Sequence, residues 1–327
     1  MNINIKKRKE IYDFFKKRIN KTNPFENLTK KKVLGKGGQG VVYKYCLIEN
    51  ACSEIAVKKM YIDTKSSKYI KDIYNEKAYT QNIYIELLSM QLTNQLILQK
   101  ICPHYVLNYQ FSYKERTGVC NDIYPYTMNL YNEFIKNSEI YTEWVKKDHT
   151  IELWYNVYFQ IVTAIYALQR HFNITHLDLH SDNILVVKVK EEGHWEYIID
   201  GIKYYVPNLG YVVYIIDFGH AWIPNMFRSW FIRQRYNSKR IYKNFDIMHL
   251  FKSTVKFSTS PTLFKKKIRY VIKELRDDKE FTTIISEIWD NYKTKISNST
   301  IIDRYNVDKN IKLNTIPKKL QHLVIHK

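Results

Sequence analysis

The chain has no C-x-x-C pair. Its four cysteines, Cys46, Cys52, Cys102 and Cys120, stand apart, and no histidine spacing completes a zinc set. That argues against the common zinc modules and leaves reduced thiols in an intracellular protein as the expectation. No run of about 18 apolar residues occurs, so no membrane span is expected. The opening residues, MNINIKKRKE, are too polar for a secretory leader. There is no internal repeat and no low-complexity linker. Acidic residues are also scarce: 32 Asp and Glu stand against 52 Lys and Arg, a formal net charge of +20. This balance attracts polyanions, so nucleic acid, an anionic membrane, and acidic or phosphorylated proteins are candidate partners. A/T-rich codon usage, which also favours Lys, Asn, Ile and the 28 tyrosines, would produce much of the same charge.

What is present is ample core material. Hydrophobic residues make up 45% of the 327 positions, enough for one large domain or two packed lobes. Residues 1–29 form a basic extension in which Ile11, Phe14, Phe15 and Ile19 recur at near-helical spacing. The expectation is a short amphipathic helix lying on the body, with a membrane or nucleic-acid arm as the alternative. Strand-like runs broken by glycines follow, KKVLGKGGQGVVYKYCLI and SEIAVKKMYI. Helices are expected over 83–101 and 152–171, the second with Leu153, Val157, Ile161, Ala164 and Leu168 on one face. Residues 186–216 return to a β pattern, with turn signals at Asp200-Gly201 and Pro207 to Gly210. From Asp246 onward the pattern is mostly helical. The class is therefore α+β: a β-rich part, 30–128, then a mainly helical part, 129–327, with a hairpin inserted at 187–215 and a cleft between the two.

Three short stretches carry chemistry. GKGGQGVV matches G-x-G-x-x-G-x-V through Gly35, Gly37, Gly40 and Val42. Such glycines let backbone N–H groups approach a phosphate. Because Val41 and Val42 follow, a strand rather than a Rossmann helix continues from them. Lys58, 18 residues beyond Gly40 in IAVKK, closes an apolar strand. HLDLHSDNIL places Asp178 five residues before Asn183, and YIIDFGHA ends an apolar strand on Asp217. A carboxylate and an amide at such positions suit a divalent cation.

The ordered set resembles the eukaryotic-type protein kinase family over about residues 30–255. The resemblance implies a bilobal fold with ATP and Mg²⁺ as cofactors and a protein as substrate. It places Gly35, Gly37 and Gly40 over the ATP phosphates, with Lys36, Gly38, Gln39, Val42 and Ala56 in the nucleotide-binding set. Lys58 then pairs with the α- and β-phosphates, Asp178 orients the attacking hydroxyl, and Asn183 and Asp217 hold Mg²⁺. Glu86 and Glu76 both qualify as the ion-pair partner of Lys58, and Glu86 is preferred because it stands nearer the turn at 102–104. His176, Phe218, Gly219 and Asp246 take structural roles, His176 against Phe218 and Asp246 as a brace for the catalytic loop. The nucleotide hinge falls near Ile123 to Met128.

The chain also departs from the family pattern. Leu177 replaces the usual Arg before Asp178, so no activation-loop phosphate is expected to be needed. His180 stands where Ser/Thr kinases place a Lys on the γ-phosphate, which makes it a catalytic candidate and disfavours the tyrosine-kinase pattern. No APE motif follows the DFG. Residues 220–243 carry Arg228, Arg233, Arg235, Lys239, Arg240 and Lys243 and no acid, which points to acidic or phosphorylated substrates. The long gap between Asn183 and Asp217 and the short C-terminal part look like the compact serine/threonine kinases of large DNA viruses. That narrower resemblance implies host-cell cytoplasm, and packaging in the virion, as locations. Small-molecule kinases of the aminoglycoside or choline type share the H-x-D-x-x-x-x-N loop but generally lack the full glycine motif. Pseudokinase scaffolds usually lose one of the residues that are intact here.

Overall fold

Apolar side chains at near-helical spacing make α1 (Ile5–Arg18) a helix with one buried stripe. Ile5, Arg8 and Phe15 are buried, Ile11 and Phe14 pack at its margin, and the lysines between them face solvent. The computed structural model describes residues 4–18, 28–38, 40–48, 52–72, 82–116, 123–223, 245–257, 262, 265–266, 285–286, 288, 290, 300–316 and 318–325. Ile19 lies outside them. Among the described residues, no helix is long and apolar enough to cross a membrane.

The branched and aromatic runs build a five-stranded antiparallel sheet. Its strands are β1 (Leu28–Gly37), β2 (Gly40–Ile48), β3 (Cys52–Ile62), β4 (Asn108–Glu115) and β5 (Tyr126–Glu133), in the order β1-β2-β3-β5-β4. After β3 comes one turn of helix, α2 (Thr64–Ser67), where the Asp63 carboxylate accepts from Ser66 N–H. Then α3 (Asn82–Leu98) buries Leu92, Leu96 and Ile97 completely. Phe15 of α1 stacks on Tyr109 of β4 at 4.7 Å, which seats the N-terminal helix on this sheet.

Two expectations fail here. The sequence places the hinge near Ile123 to Met128, yet Tyr126, Thr127 and Met128 pair with Ile62, Tyr61 and Met60 of β3. β5 continues to Glu133, so the chain leaves the sheet there and a boundary at 128/129 cuts a strand. Asn129 and Asn132 disguise this strand in the sequence. Across the sheet their amides are satisfied: Asn108 Nδ2 donates to Asn132 Oδ1 at 2.7 Å, and Asn129 Nδ2 donates to Ser112 Oγ. The thiols differ as well. Cys102 is a free, buried thiol, but Cys46 is disulfide-bonded.

Beyond Glu133, β6 (Ser138–Ile140) leads into α4 (Tyr141–Trp144) and α5 (Ile151–Phe172). The Thr150 hydroxyl accepts from Leu153 N–H at the start of α5, and Asn173, left-handed at φ 53°, ends it. α5 is buried over most of its length and forms the axis of the second part. Trp144 stacks on His149 and meets Trp154 edge-on, which covers its N-terminal end. Burying each such large side chain stabilises the fold by roughly 2–3 kcal/mol.

β7 (Ile184–Lys188) follows, and the insert after it is a hairpin of β8 (His194–Ile199) and β9 (Ile202–Pro207). Asp200 and Gly201 turn it with φ of 49° and 75°, the mirror-image turn that suits strand twist. β10 (Tyr211–Ile215) returns to pair with β7, in the sheet order β10-β7-β6. The insert proper is therefore 189–210, inside the expected 187–215. α6 (Phe245–Phe257) packs beside α5, where Phe251 meets Tyr158 at 4.7 Å.

The helical expectation for the C-terminal region fails at β11 (Ile301–Asn306), which adds to β8 in parallel. Gly193 is left-handed at φ 61°, and a Cβ there would lie 2.3 Å from the Thr300 carbonyl oxygen, so only glycine lets β11 begin so close. Asp308 accepts from the N–H groups of Asp200 and Gly201, both at 2.8 Å, and Arg170 of α5 bridges Asp200 and Asp308. The inserted sheet is thereby tied to the central helix.

Candidate active site

The β1–β2 hairpin closes at Gly37 opposite Gly40, with Gly35 opposite Val42. Lys36, Gly37 and Gly38 are exposed at its tip, and Gln39 lies outside the described residues. Gly40 has φ 154°, and a Cβ on it would meet the Lys59 carbonyl oxygen at 2.3 Å. β2 crosses β3 so that Val42 faces Lys58 and Lys44 faces Ala56. Lys58 is in turn opposite Leu130 of β5, in the middle of the sheet.

Lys58 Nζ donates to both carboxylate oxygens of Glu86 on α3, at 2.7 and 2.9 Å, and to Asp217 Oδ1 at 3.0 Å. Glu86 is only 2% exposed. Glu76 lies outside the described residues. Burial by itself would lower the Lys58 pKa, but the two carboxylates outweigh it and hold the ammonium protonated. Burial pushes Glu86 up to about 7 against the pull of Lys58, with Asp217 adding to the rise. Burial would also raise Asp217, but Lys58 outweighs it and the net shift is downward.

Asp178 and Asn183 sit on a loop fixed at both ends. His176 N–H and Leu177 N–H donate to the two oxygens of Asp246 on α6, at 2.8 and 2.9 Å, and Asp246 is fully buried. Leu177 is left-handed at φ 62°, a strained turn for a branched residue that this two-point anchor holds. Asn183 Nδ2 donates to the Asp178 carbonyl at 2.8 Å, and the Asn183 carbonyl accepts from Ile216 N–H at 3.0 Å. Asn183 is thus bound to the strand that delivers Asp217. Asp217 is itself left-handed at φ 64°, with Gly219 N–H donating to its Oδ1 at 3.4 Å.

The His176 ring packs 4.9 Å from Phe218, and its Nε2 lies 3.0 Å from the Ile216 carbonyl oxygen. His180 Nε2 is 3.7 Å from Asp178 Oδ2 and 3.2 Å from Asn183 Nδ2. The Asp178 carboxylate raises the His180 pKa. Burial would raise Asp178, but His180, 3.7 Å away, and the other nearby histidines bring it down.

The fold therefore gathers Lys58, Glu86, Asp178, His180, Asn183 and Asp217 from separate segments of the chain. Lys58 is one cation shared by two carboxylates, so a negative charge is left over beside an amide. That oxygen set suits a hard divalent cation whose shell is completed by water or phosphate oxygens. Among the described residues, no three His, Cys, Asp or Glu side chains form a closed metal cage. Arg228, Arg233, Arg235, Lys239, Arg240 and Lys243 lie outside the described residues.

Sequence reasoning passed over Tyr105, whose ring lies 6.2 Å from Phe218 on the side away from solvent. Tyr105 belongs to no motif, and its only signal is its place just after the turn at 102–104. Asp182, inside the HLDLHSDNIL stretch, accepts a hydrogen bond from the Thr142 hydroxyl.

No family model matches the chain. Over 226 residues it is 25% identical to a probable serine/threonine-protein kinase of Invertebrate iridescent virus 6, covering 66% of this chain and 40% of that protein. A stretch of 68 residues is 41% identical to an uncharacterized protein of Acanthamoeba polyphaga mimivirus, 20% of this chain and 9% of that one. A stretch of 62 residues is 36% identical to a Frog virus 3 (isolate Goorha) protein with a provisional serine/threonine-protein kinase name, 18% of this chain and 7% of that one. The matched stretches span 40% or less of the length of these relatives. In sequence it resembles virus-encoded proteins named as serine/threonine-protein kinases.

Proposed function

We propose that the chain is a bilobal serine/threonine protein kinase that uses ATP and Mg²⁺. The observation that carries this reading is the Lys58 ammonium held between Glu86 and Asp217, across from a loop that presents Asp178 and Asn183. In this reading the five-stranded sheet with α3 is one lobe and the part built on α5 is the other. Phosphoryl transfer asks mainly for positioning and charge neutralisation, and the residues supply both.

The glycine hairpin lays backbone N–H groups over the phosphates, and Lys58, locked by Glu86, binds the α- and β-phosphate oxygens. Asn183 and Asp217 would hold Mg²⁺, which when bound neutralises charge on the phosphate oxygens. Asp178 orients the substrate hydroxyl and takes its proton on a side-chain oxygen. The bond between that hydroxyl oxygen and the γ-phosphorus forms as the bond to the β–γ bridging oxygen breaks, and ADP leaves. In this reading His180, beside Asp178, is the donor to the γ-phosphate. The basic composition of 220–243 supports a preference for acidic or phosphorylated protein substrates.

The test is transfer of label from ATP to a panel of acidic protein, basic protein, a tyrosine polymer and small aminoalcohols, with Asp217→Ala as the blank. Labelled Ser or Thr in protein supports the reading, most fully in acidic protein. Label in the aminoalcohols alone would move the chain to small-molecule kinases. ATP binding with no transfer would leave a scaffold.

A further inference from the structure

Arg8 is a guanidinium only 6% exposed, in a helix that precedes every motif of the site. It spends its donors on two distant segments. Nε and Nη2 donate to the two oxygens of Glu133, at 2.9 and 2.6 Å, and Nη1 donates to the Pro103 carbonyl at 2.7 Å. Nη2 also donates to the Tyr105 carbonyl. The guanidinium carbon stands 5.3 Å over the ring of Tyr214. Burial would lower the guanidinium pKa, but the Glu133 carboxylate outweighs it and the net shift is upward.

Each of these partners lies one step from the site. Glu133 ends β5, the strand whose Leu130 is paired with Lys58. Its carboxylate also accepts from Leu107 N–H at 3.1 Å. Pro103 and Tyr105 belong to the turn that follows α3, the helix that carries Glu86. Tyr105 bridges to Ile215 of β10, and its ring meets Phe218. Tyr214 stands three residues before Asp217 on the same strand run. An apolar side chain would fill this place at less desolvation cost, but it could not join a carboxylate and two carbonyls at once.

We infer that Arg8 is a positioning residue for phosphoryl transfer: it bolts α1 behind the cleft and fixes the α3 turn, the end of β5 and the strand leading to Asp217 relative to one another. The inference rests on the kinase reading above and assigns the N-terminal helix a part in the reaction rather than a role as a surface arm.

The experiment uses the full chain with Arg8→Ala, Arg8→Lys and Glu133→Gln, and Lys9→Ala as a surface control on the same helix. It reads kcat, KM for ATP, the fraction folded by circular dichroism, and hydrogen exchange by segment. Arg8→Ala is expected to lower kcat about ten- to hundredfold with KM for ATP changed less than about threefold, at a temperature where the variant is folded. Arg8→Lys restores part of the rate, and Lys9→Ala leaves it unchanged. Exchange rises in 103–107 and 211–218 and stays level in the hairpin 194–207. Should Arg8→Ala fail to fold, Glu133→Gln and Arg8→Lys are expected to show the same local pattern in milder form. A kcat kept within about twofold, or a rate that falls only with the folded fraction while exchange rises everywhere, would overturn the inference. If the parent chain transfers no more phosphate than Asp217→Ala, the kinase reading fails by itself. The exchange comparison then still decides whether Arg8 holds those segments.

Discussion

Glu86 reaches Lys58 with both carboxylate oxygens, at 2.7 and 2.9 Å, inside the sheet–helix interface and 28 residues away along the chain. This contact sets the direction in which the Lys58 side chain leaves β3. Without it, Asp217 is the carboxylate that still pairs with Lys58 among the described residues, and the ammonium is drawn toward it. Glu86→Gln is expected to cost about a hundredfold in kcat, some 3 kcal/mol of barrier. Glu76→Gln should leave the rate within about twofold. Steady-state kinetics of the two variants side by side check this, and the reverse pattern would reject the pairing as the working one.

Asp246 satisfies two buried N–H groups at a left-handed leucine, so its loss is expected to be felt in both stability and rate. Asp246→Ala leaves both donors without a partner and should destabilise the chain by about 2–3 kcal/mol in urea unfolding. Asp246→Asn keeps one acceptor and should fall between. A variant with parental stability would mean that solvent reaches those amides.

His104 predicts an acid-sensitive fold. It is buried between the Val213 carbonyl, at 3.1 Å, and the Tyr197 hydroxyl, at 2.8 Å, with Cys102 and Arg8 as its titratable and charged neighbours. Burial first, and Arg8 second, bring its pKa down to about 3 from an ordinary 6.5, against the Val213 hydrogen bond. Between those values the unfolded chain binds a proton that the folded chain refuses. The contribution is therefore complete above pH 6.5 and is lost as the pH falls toward 3, at up to about 1.4 kcal/mol per pH unit. His104→Gln should flatten unfolding free energy against pH in that window. An unchanged slope would show that His104 takes up its proton while folded.

The glycines of the hairpin are expected to separate by role. Gly40→Ala puts a Cβ 2.3 Å from a backbone oxygen, so it should lower stability by about 1–3 kcal/mol as well as the rate. Gly35→Ala meets nothing within 4 Å, so its melting temperature should match the parent and any loss should appear in KM for ATP. Thermal melts of the two variants decide the matter.

How much of this was legible in the sequence follows from the range of the forces involved. Local patterning was enough for α1, α3 and α5, for the glycine hairpin, and for a turn at Asp200-Gly201, because helical periodicity, caps and φ > 0 positions act within a few residues. Lys58, Asp178, Asn183 and Asp217 could be named from motif spacing, since each lies in a short stretch with its own sequence mark, although Lys58 stands inside β3 rather than at its end. β5 could not be read through Asn129 and Asn132, because their amides are satisfied only by residues on β4. β11 could not be read either, because its partner β8 lies about a hundred residues away.

By itself the sequence determined the α+β class, the order of the motifs and the residues able to carry chemistry. Only the tertiary structure decided that Glu86 meets Lys58, that Asp246 holds the Leu177 turn, that Cys46 is disulfide-bonded, and that Arg8 is buried against Glu133 rather than displayed on a basic arm. Those outcomes depend on which distant groups share a desolvated space. The sequence shows an Arg among lysines, and only the packing shows that one of them has a carboxylate and two carbonyls waiting for it.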